Sequence, residues 1–390
     1  MSFLETKPSS ETLAFITANR QKKPSEVALM LSKQPELPKE FILNQINGFQ
    51  KASKKLPFLT DFPNYIFPDS RAVAQSSSES TANYKAALIE GHKMLDASGG
   101  MGIDSYFFSK RVTKLSYLEP NPALFTLTNK NFEVLGVENI ECFQLEAQAF
   151  LKETTAEFDW IYIDPDRRKN ATRFFQIGDC CPNVLELMDL LWERSNKVML
   201  KFSPMLDLSL ALEQLPFCRE AHVVAVDNEC KELLFALEMD YFGEATINAI
   251  NIQTVAPSKL SFKVSEEQGQ EVSFSKPLNF LYEANAAILK AGGFKVLATR
   301  FGLKKLAPNT HLYTSEALIE NFPGRVLKIE QVSKPKKGLV KKANVVCRNF
   351  PLKPEELKKK YKITDGGNQF LYACTLLDKE RVFILAQKLN

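Results

Sequence analysis

Four acidic residues, Asp96, Glu119, Glu146 and Asp164, each stand at or just after the end of a run that reads as a β-strand. After the first comes a glycine-rich turn, Asp96-Ala97-Ser98-Gly99-Gly100-Met101-Gly102, followed by Ile103, Asp104 and Ser105. Small residues let a backbone approach a ligand closely, and an acid about twenty residues further on can accept both hydroxyls of a ribose. The chemistry implied is nucleotide binding. The turn is not the dinucleotide fingerprint G-x-G-x-x-G, because Gly100-Met101-Gly102 leads into Ile-Asp-Ser, which disfavours an NAD-dependent oxidoreductase. The fourth acid opens a dense cluster, Asp164-Pro165-Asp166-Arg167-Arg168. Asp164 either caps the next helix or takes part in chemistry, and the arginines could grip a phosphate or carboxylate as bidentate forks.

These residues need a scaffold, and the pattern around them supplies one. Residues 93–96, 115–118, 140–143, 158–163 and 197–202 are apolar, β-branched or aromatic runs. Between and after them, 103–110, 123–135, 147–152, 184–194 and 206–215 have helical apolar spacing. Strands alternating with helices, the strands being continuous apolar runs, imply a largely parallel sheet buried on both faces. Ligands of such sheets sit outside the carboxyl ends of the strands, where all four acids fall. Residues 221–226 and 232–237 read as a closing antiparallel pair.

Upstream, 13–17, 27–31 and 41–46 read as short helices separated by proline-containing links. Ser76 and Glu79 have capping-box spacing for a helix through Tyr84 and Lys85 to Ile89, and Ser76-Ser77-Ser78 with Tyr84 and Lys85 could alternatively form a lid over a bound cofactor. Beyond Asp240 the pattern changes to strands over 245–252, 259–264 and 271–274, then a short helix over 285–290 stopped by Gly292-Gly293. Lys358-Lys359-Lys360 falls in a helix opened by Pro354.

Composition narrows the function classes. The chain has 390 residues, 45% hydrophobic and 25% charged, as in an ordinary globular protein of several domains. Seven cysteines without a C-x-x-C pair, and three well-separated histidines, predict reduced thiols in a cytoplasm and no metal site. No membrane segment and no signal peptide are expected. Residues 285–390 hold 21 Lys and Arg against 8 Asp and Glu, a net +13, which leaves −9 for the first 284 residues of a chain whose total is +4. A basic end on an acidic body predicts a polyanionic partner, nucleic acid first, unless those lysines are only solvated surface.

The segments DASGGMG, LEPN, QLEA and IDPDRR together resemble class I S-adenosylmethionine-dependent methyltransferases, in particular RNA-directed enzymes of the trimethylguanosine synthase group. FPGRV, KKANVVCRNFPL and ITDGGNQFLYA look like the THUMP-like domain that follows such a catalytic domain in bacterial proteins, and 281–312 like the small ferredoxin-like piece before it. The resemblance implies a Rossmann-like α/β catalytic sheet with an N-terminal helical segment and a C-terminal α+β region. It implies domains over 1–75 (helical), 76–243 (methyltransferase), 244–318 (β-rich, ferredoxin-like) and 319–390 (THUMP-like). The cofactor would be S-adenosylmethionine, held by Asp96, Gly99, Gly100, Gly102, Asp104, Glu119, Pro120, Glu146, Ala147 and Asp164. Gly100 and Gly102 would lie beneath its amino-acid end, Glu119 on the ribose diol and Glu146 near the adenine amine. Asp164, Pro165, Asp166 and Arg167 would form the transfer site, and structured RNA such as tRNA or rRNA would be the partner, since THUMP domains are associated with RNA. One departure stands out: base-amine methyltransferases carry an aromatic residue after Asp/Asn-Pro-Pro to stack on the base, and here Asp166 and Arg167 occupy those places. That leaves a ring nitrogen, a carbon or a non-nucleic acceptor open. A methyltransferase of proteins or small molecules, or an inactive RNA-binding relative, remain rival readings.

Overall fold

The structure, a computed structural model, describes residues 8–167, 176–253 and 257–389. It comprises two compact units, one of residues 1–218 and 234–242, the other of 219–233 and 243–390.

The first unit opens with helices α1 (Ser10–Asn19), α2 (Pro24–Leu31), α3 (Lys39–Lys55), α4 (Ser70–Gln75) and α5 (Glu79–Ala86). In α3, Ile42, Gln45, Ile46, Phe49 and Ala52 are buried at three- and four-residue spacing, the single apolar stripe of an amphipathic helix. The lower half of that stripe does not form a core of its own. Phe49, Leu56, Leu59, Tyr65 and Phe67 share one apolar cluster with Tyr106, Phe107, Phe108, Tyr117 and Phe132 of the sheet-and-helix layer, and Phe58 stacks on Tyr106 at 5.0 Å. The start of α5 departs from the expected Ser76/Glu79 box. Ser78 is the N-cap: its hydroxyl accepts the Thr81 N–H at 3.2 Å, and the Thr81 hydroxyl accepts the Ser78 N–H at 3.1 Å. The same reciprocal bonding forms two residues later because Thr81 replaces the carboxylate, and Glu79 instead accepts the Phe58 N–H at 3.0 Å.

Then come β1 (Lys93–Asp96), α6 (Ile103–Ser109), β2 (Lys114–Leu118), α7 (Pro122–Val134), β3 (Ile140–Phe143), α8 (Ala147–Glu153) and β4 (Trp160–Ile163). A two-residue antiparallel ladder, β5 (Asp166–Arg167) with β6 (Cys180–Cys181), precedes α9 (Val184–Trp192), β7 (Lys197–Phe202) and α10 (Leu208–Gln214). The strands order as β3-β2-β1-β4-β7, all parallel. All four residues of the central β4 are buried, as are the last three of β1, whereas edge strand β3 is half-buried. That is why the central strands read as unbroken apolar runs. The strand order reverses direction between β1 and β4, the topological switch point at which open parallel sheets bind ligands.

β8 (Cys218–Val226) and β9 (Glu229–Glu238), whose residues are divided between the two units, are joined by Asp227 and Asn228, both at positive φ (49° and 66°), a type I′ hairpin turn. β10 (Thr246–Ile252) runs parallel to β8, and β11 (Ser258–Lys263) antiparallel to β10. The expected strand over 271–274 does not form. A helix, α11 (Val264–Gly269), follows β11, and only an isolated bridge from Phe274 to Lys305 remains. β12 (Phe280–Ala284), α12 (Ala286–Ala291), α13 (Phe294–Arg300), β13 (Lys304–Lys305), β14 (Leu312–Ser315), β15 (Gly324–Ser333), β16 (Asn344–Arg348), α14 (Pro354–Tyr361), β17 (Gln369–Thr375) and β18 (Arg381–Lys388) complete the second unit. Its seven-stranded sheet orders as β13-β14-β12-β15-β18-β17-β16. Leu357 of α14 packs against Leu371, Ala373 and Phe383 on one face. On the other, the buried Glu283 accepts from Arg325 (2.8 Å), Arg348 (2.7 Å) and the Tyr372 hydroxyl (2.8 Å), so one carboxylate ties β12, β15, β16 and β17 together.

Candidate active site

A cavity of about 590 Å³ opens at the carboxyl ends of β1, β2 and β4. It is lined by Asp96, Gly99, Gly100, Asp104, Glu119, Pro120, Glu146, Ala147, Asp164 and Asp166 of the expected set. Gly102 and Pro165 do not line it, Arg167 is placed in β5 opposite Cys180, and Arg168 lies outside the described residues.

The glycines of the turn serve different purposes. A Cβ on Gly99 would stand 2.0 Å from the Tyr117 ring, and one on Gly102 would stand 2.6 Å from Phe132 and 2.7 Å from Thr128. Both positions are emptied by the protein's own packing. Gly100, at φ 56°, lines the cavity, and a Cβ there would meet no more than ordinary contact with the Ser98 carbonyl at 3.9 Å, so it is the positive φ that calls for glycine. Its peptide is clamped from three sides. The N–H donates to Glu119 Oε2 at 3.0 Å, and the carbonyl accepts from the Tyr117 hydroxyl at 2.5 Å and the Thr128 hydroxyl at 3.1 Å. The other Glu119 oxygen accepts the Asn121 N–H at 2.7 Å. Each carboxylate oxygen keeps a second lone pair, so Glu119 can still receive a sugar diol. Burial raises its carboxyl above the usual glutamate range.

The floor is a cluster of acids and lysines. Asp96 ends β1 almost fully buried, with Oδ1 accepting the Ser98 N–H at 3.0 Å and Oδ2 the Ser105 hydroxyl at 2.5 Å. Burial pushes its carboxyl up to about 7 against the pull of those donors, and Asp104 and Asp164 add to the rise. Asp104 sits in the first turn of α6. It pairs with the buried Lys85 at 3.3 Å and accepts from the Ser77 hydroxyl at 2.8 Å and the Tyr162 hydroxyl at 2.9 Å. Burial works to raise it, but Lys85, Lys201, Ser77 and Tyr162 together hold it below the ordinary aspartate range. Asp164 directly follows β4. Its N–H donates to Ser98 Oγ at 2.7 Å, and its Oδ2 accepts from Lys201 Nζ. Burial raises the Asp164 carboxyl and Lys201 opposes that rise.

The structure brings further residues to the site, among them the serine segment that the sequence offered as a cover over a ligand. Ser76 and Ser77 line the cavity beside Ala72 and Gln75, so the segment between α4 and α5 forms one wall of it while Ser78 does the capping. Lys85, Lys201, Ser98 and Ser105 back the acids. On the far rim stand Cys181, Pro182, Asn183 and Glu186, brought there by the β5–β6 ladder, with Asn183 Nδ2 donating to Glu186 at 2.7 Å. Among the described lining residues the aromatic one is Tyr162, and its hydroxyl is committed to Asp104.

The fit to S-adenosylmethionine follows from this donor set. A sulfonium is cationic, and the described lining carries seven carboxylates, Asp96, Asp104, Glu119, Glu146, Asp164, Asp166 and Glu186, with no lysine or arginine. The bare Gly100 peptide and Glu119 are placed for a nucleoside. Among the described residues no group of three or more His, Cys, Asp or Glu is arranged to hold a metal, and no helix is long and apolar enough to cross a membrane.

Comparison with known proteins agrees. A family described as a ferredoxin-like domain matches residues 280–323, and one described as THUMP domain-like matches 324–388. No curated protein matches the chain. A crystal structure of a protein from Porphyromonas gingivalis W83 designated a methyltransferase is similar at 30% identity and a TM-score of 0.86, over 98% of this chain and 99% of that one. A methyltransferase from Streptococcus mutans bound to S-adenosylhomocysteine has 15% identity and a TM-score of 0.31, over 41% of this chain and 96% of that one. M. capricolum TrmK, also bound to S-adenosylhomocysteine, has 12% identity and a TM-score of 0.33, over 41% of this chain and 68% of that one. The chain therefore belongs to the family of the Porphyromonas protein, class I S-adenosylmethionine-dependent methyltransferases that carry ferredoxin-like and THUMP-like C-terminal domains.

Proposed function

We propose that this enzyme methylates a base of a structured RNA, tRNA or rRNA. The observation that carries the reading is the pairing of two features in one chain. One is an acid-lined cavity at the switch point of the sheet; the other is a C-terminal stretch, residues 285–390, of net charge +13, which contains the THUMP-like match over 324–388. A polyanion is drawn to the second feature and repelled by the first, which suits a division between RNA holding and methyl donor binding.

S-adenosylmethionine supplies an electrophilic methyl group on a positively charged sulfur. Glu119 and the Gly100 peptide would hold the nucleoside end and Glu146 would approach the base, while Asp104, held ionised by Lys85, would supply negative charge for the sulfonium, with Asp96 beside it. Asp164, at the end of β4, orients the acceptor for in-line attack. Where the acceptor nitrogen carries hydrogen, Asp164 takes that proton as the nitrogen lone pair bonds the methyl carbon and the carbon–sulfur electrons return to sulfur. Asp166 is placed as a further polar wall, with Pro165 holding the turn and Arg167 in β5 beside it. The seven cysteines, all free thiols, support a cytoplasmic setting.

One observation favours a second reading, a protein or small-molecule acceptor: the described acceptor side offers carboxylates and an amide but no free aromatic face for a base. The test is transfer of labelled methyl from S-adenosylmethionine to total cellular RNA, with cellular protein as the parallel acceptor, followed by separation of labelled nucleosides. Label in a single nucleoside supports the proposal. Label in protein alone favours the second reading.

A further inference from the structure

Asp164 and Lys201 come from adjacent parallel strands. The register of β4 on β7 ends at Ile163↔Leu200, so Asp164 and Lys201 are the next cross-strand neighbours, and side chains at neighbouring positions share a face. That face carries Tyr162 and Met199 in the preceding row, both in the apolar core. Lys201 therefore rises from a hydrophobic layer with its stem enclosed, 12% exposed, and its ammonium directed at Asp164 Oδ2. Ser98 Oγ fixes the Asp164 backbone N–H from the other side, at 2.7 Å. Two restraints of different kinds hold one short carboxylate, and a lysine in a buried strand loses rotamer and hydration freedom that solvation alone does not repay.

We infer that Lys201 is the positioning residue of the transfer site: its ammonium, paired with Oδ2, aims the Asp164 carboxylate at the acceptor. The inference rests on the methyl-transfer reading for what Asp164 does, but the pairing itself can be tested without an acceptor. The carboxyl of Asp164 is partly buried beside Asp104, surroundings that favour its protonated form. The lysine is the strongest contact opposing this, with Lys85 adding to it. An ionised carboxylate accepts a hydrogen bond from the acceptor; a protonated one competes with it as a donor.

The experiment compares wild type with Lys201→Met and Lys201→Arg in the full chain, labelled with carbon-13 at the aspartate carboxyl and titrated by NMR, Asp164→Asn identifying the resonance. Lys201→Met should move the Asp164 titration up by about one to three pH units, the span for loss of an adjacent opposite charge, and Lys201→Arg should restore most of it. Binding of S-adenosylhomocysteine, followed by calorimetry, should stay within a few-fold in both variants. An unmoved Asp164 titration in folded Lys201→Met overturns the inference, as does a shift that arginine fails to reverse. Should Lys201→Met not fold, Lys201→Gln carries the same comparison. Absence of S-adenosylhomocysteine binding by wild type would sink the methyl-transfer reading instead, with the titration result still standing.

Discussion

The ring of Tyr117 occupies the space that a side chain on Gly99 would need, 2.0 Å from where its Cβ would be, while the Tyr117 hydroxyl holds the Gly100 carbonyl. One residue of β2 thus both requires the first glycine of the turn and fixes the conformation of the second. Gly99→Ala should destabilise the fold by about 1–3 kcal/mol, the usual cost of overpacking, because the ring is buried and backed by Phe132. Thermal unfolding checks this. The double variant Gly99→Ala/Tyr117→Leu should recover part of the loss, and a fully tolerated single variant would show that the ring can swing aside.

Glu119→Ala should weaken S-adenosylmethionine binding by roughly 1.5–3 kcal/mol, the range for hydrogen bonds to a charged group. The same change frees the N–H groups of Gly100 and Asn121, so the loop loosens as well. Calorimetry on folded protein is the measurement, and unchanged affinity would remove Glu119 from the cofactor site.

Asp164→Asn should keep cofactor affinity within a few-fold and abolish most turnover, since the role proposed for Asp164 is to orient the acceptor rather than to hold the donor's nucleoside. Near-normal single-turnover rates in the variant would return Asp164 to a structural part.

Asp96 gives a pH signature. Its carboxyl is raised from 3.8 to about 7 by burial, so the folded chain holds this proton more tightly than the unfolded chain. The resulting stability is complete below about pH 3.8 and is lost as pH rises through about 7. Urea midpoints at pH 5 and pH 7.5 should therefore differ more for wild type than for Asp96→Asn, which cannot ionise. Equal differences would mean that Asp96 is ionised in both states.

Lys336, Lys337, Lys341 and Lys342 are exposed in the THUMP-like region. If they contact RNA phosphates, the log–log dependence of tRNA affinity on salt should steepen by about 0.7–0.9 for each contact. Neutralising all four should flatten it and raise the KM for RNA while leaving S-adenosylmethionine binding alone. Identical slopes for the two proteins would make these lysines solvated surface.

The acids of the site were legible because each follows a strand run, and the central strands before Asp96 and Asp164, buried on both faces, read as unbroken apolar runs in one dimension. The supporting residues were not, because they meet the acids only across elements. Ser77 and Lys85 read as parts of a segment that either caps a helix or covers a ligand, and nothing in one dimension ties them to Asp104. Lys201 did leave a trace, a lysine inside the otherwise apolar Val198–Phe202 run, whose meaning depends on the strand beside it. The rim at Cys181–Glu186 arrives through a two-residue ladder, too short to have a period. Gly102 illustrates the converse: a glycine in the right place for a ligand, demanded instead by Phe132 and Thr128.

The shared core of the helical N-terminus and the sheet has a bearing on biosynthesis. Phe49 and Leu56 leave the ribosome long before Met199, a member of the same cluster about 150 residues later. At roughly 5–20 residues per second, these helices wait on the order of ten seconds with their apolar stripe uncovered. During that interval they are natural clients for a chaperone at the tunnel exit, and a fragment beginning at Ser76 would inherit the opposite defect, a sheet layer with its lid never made.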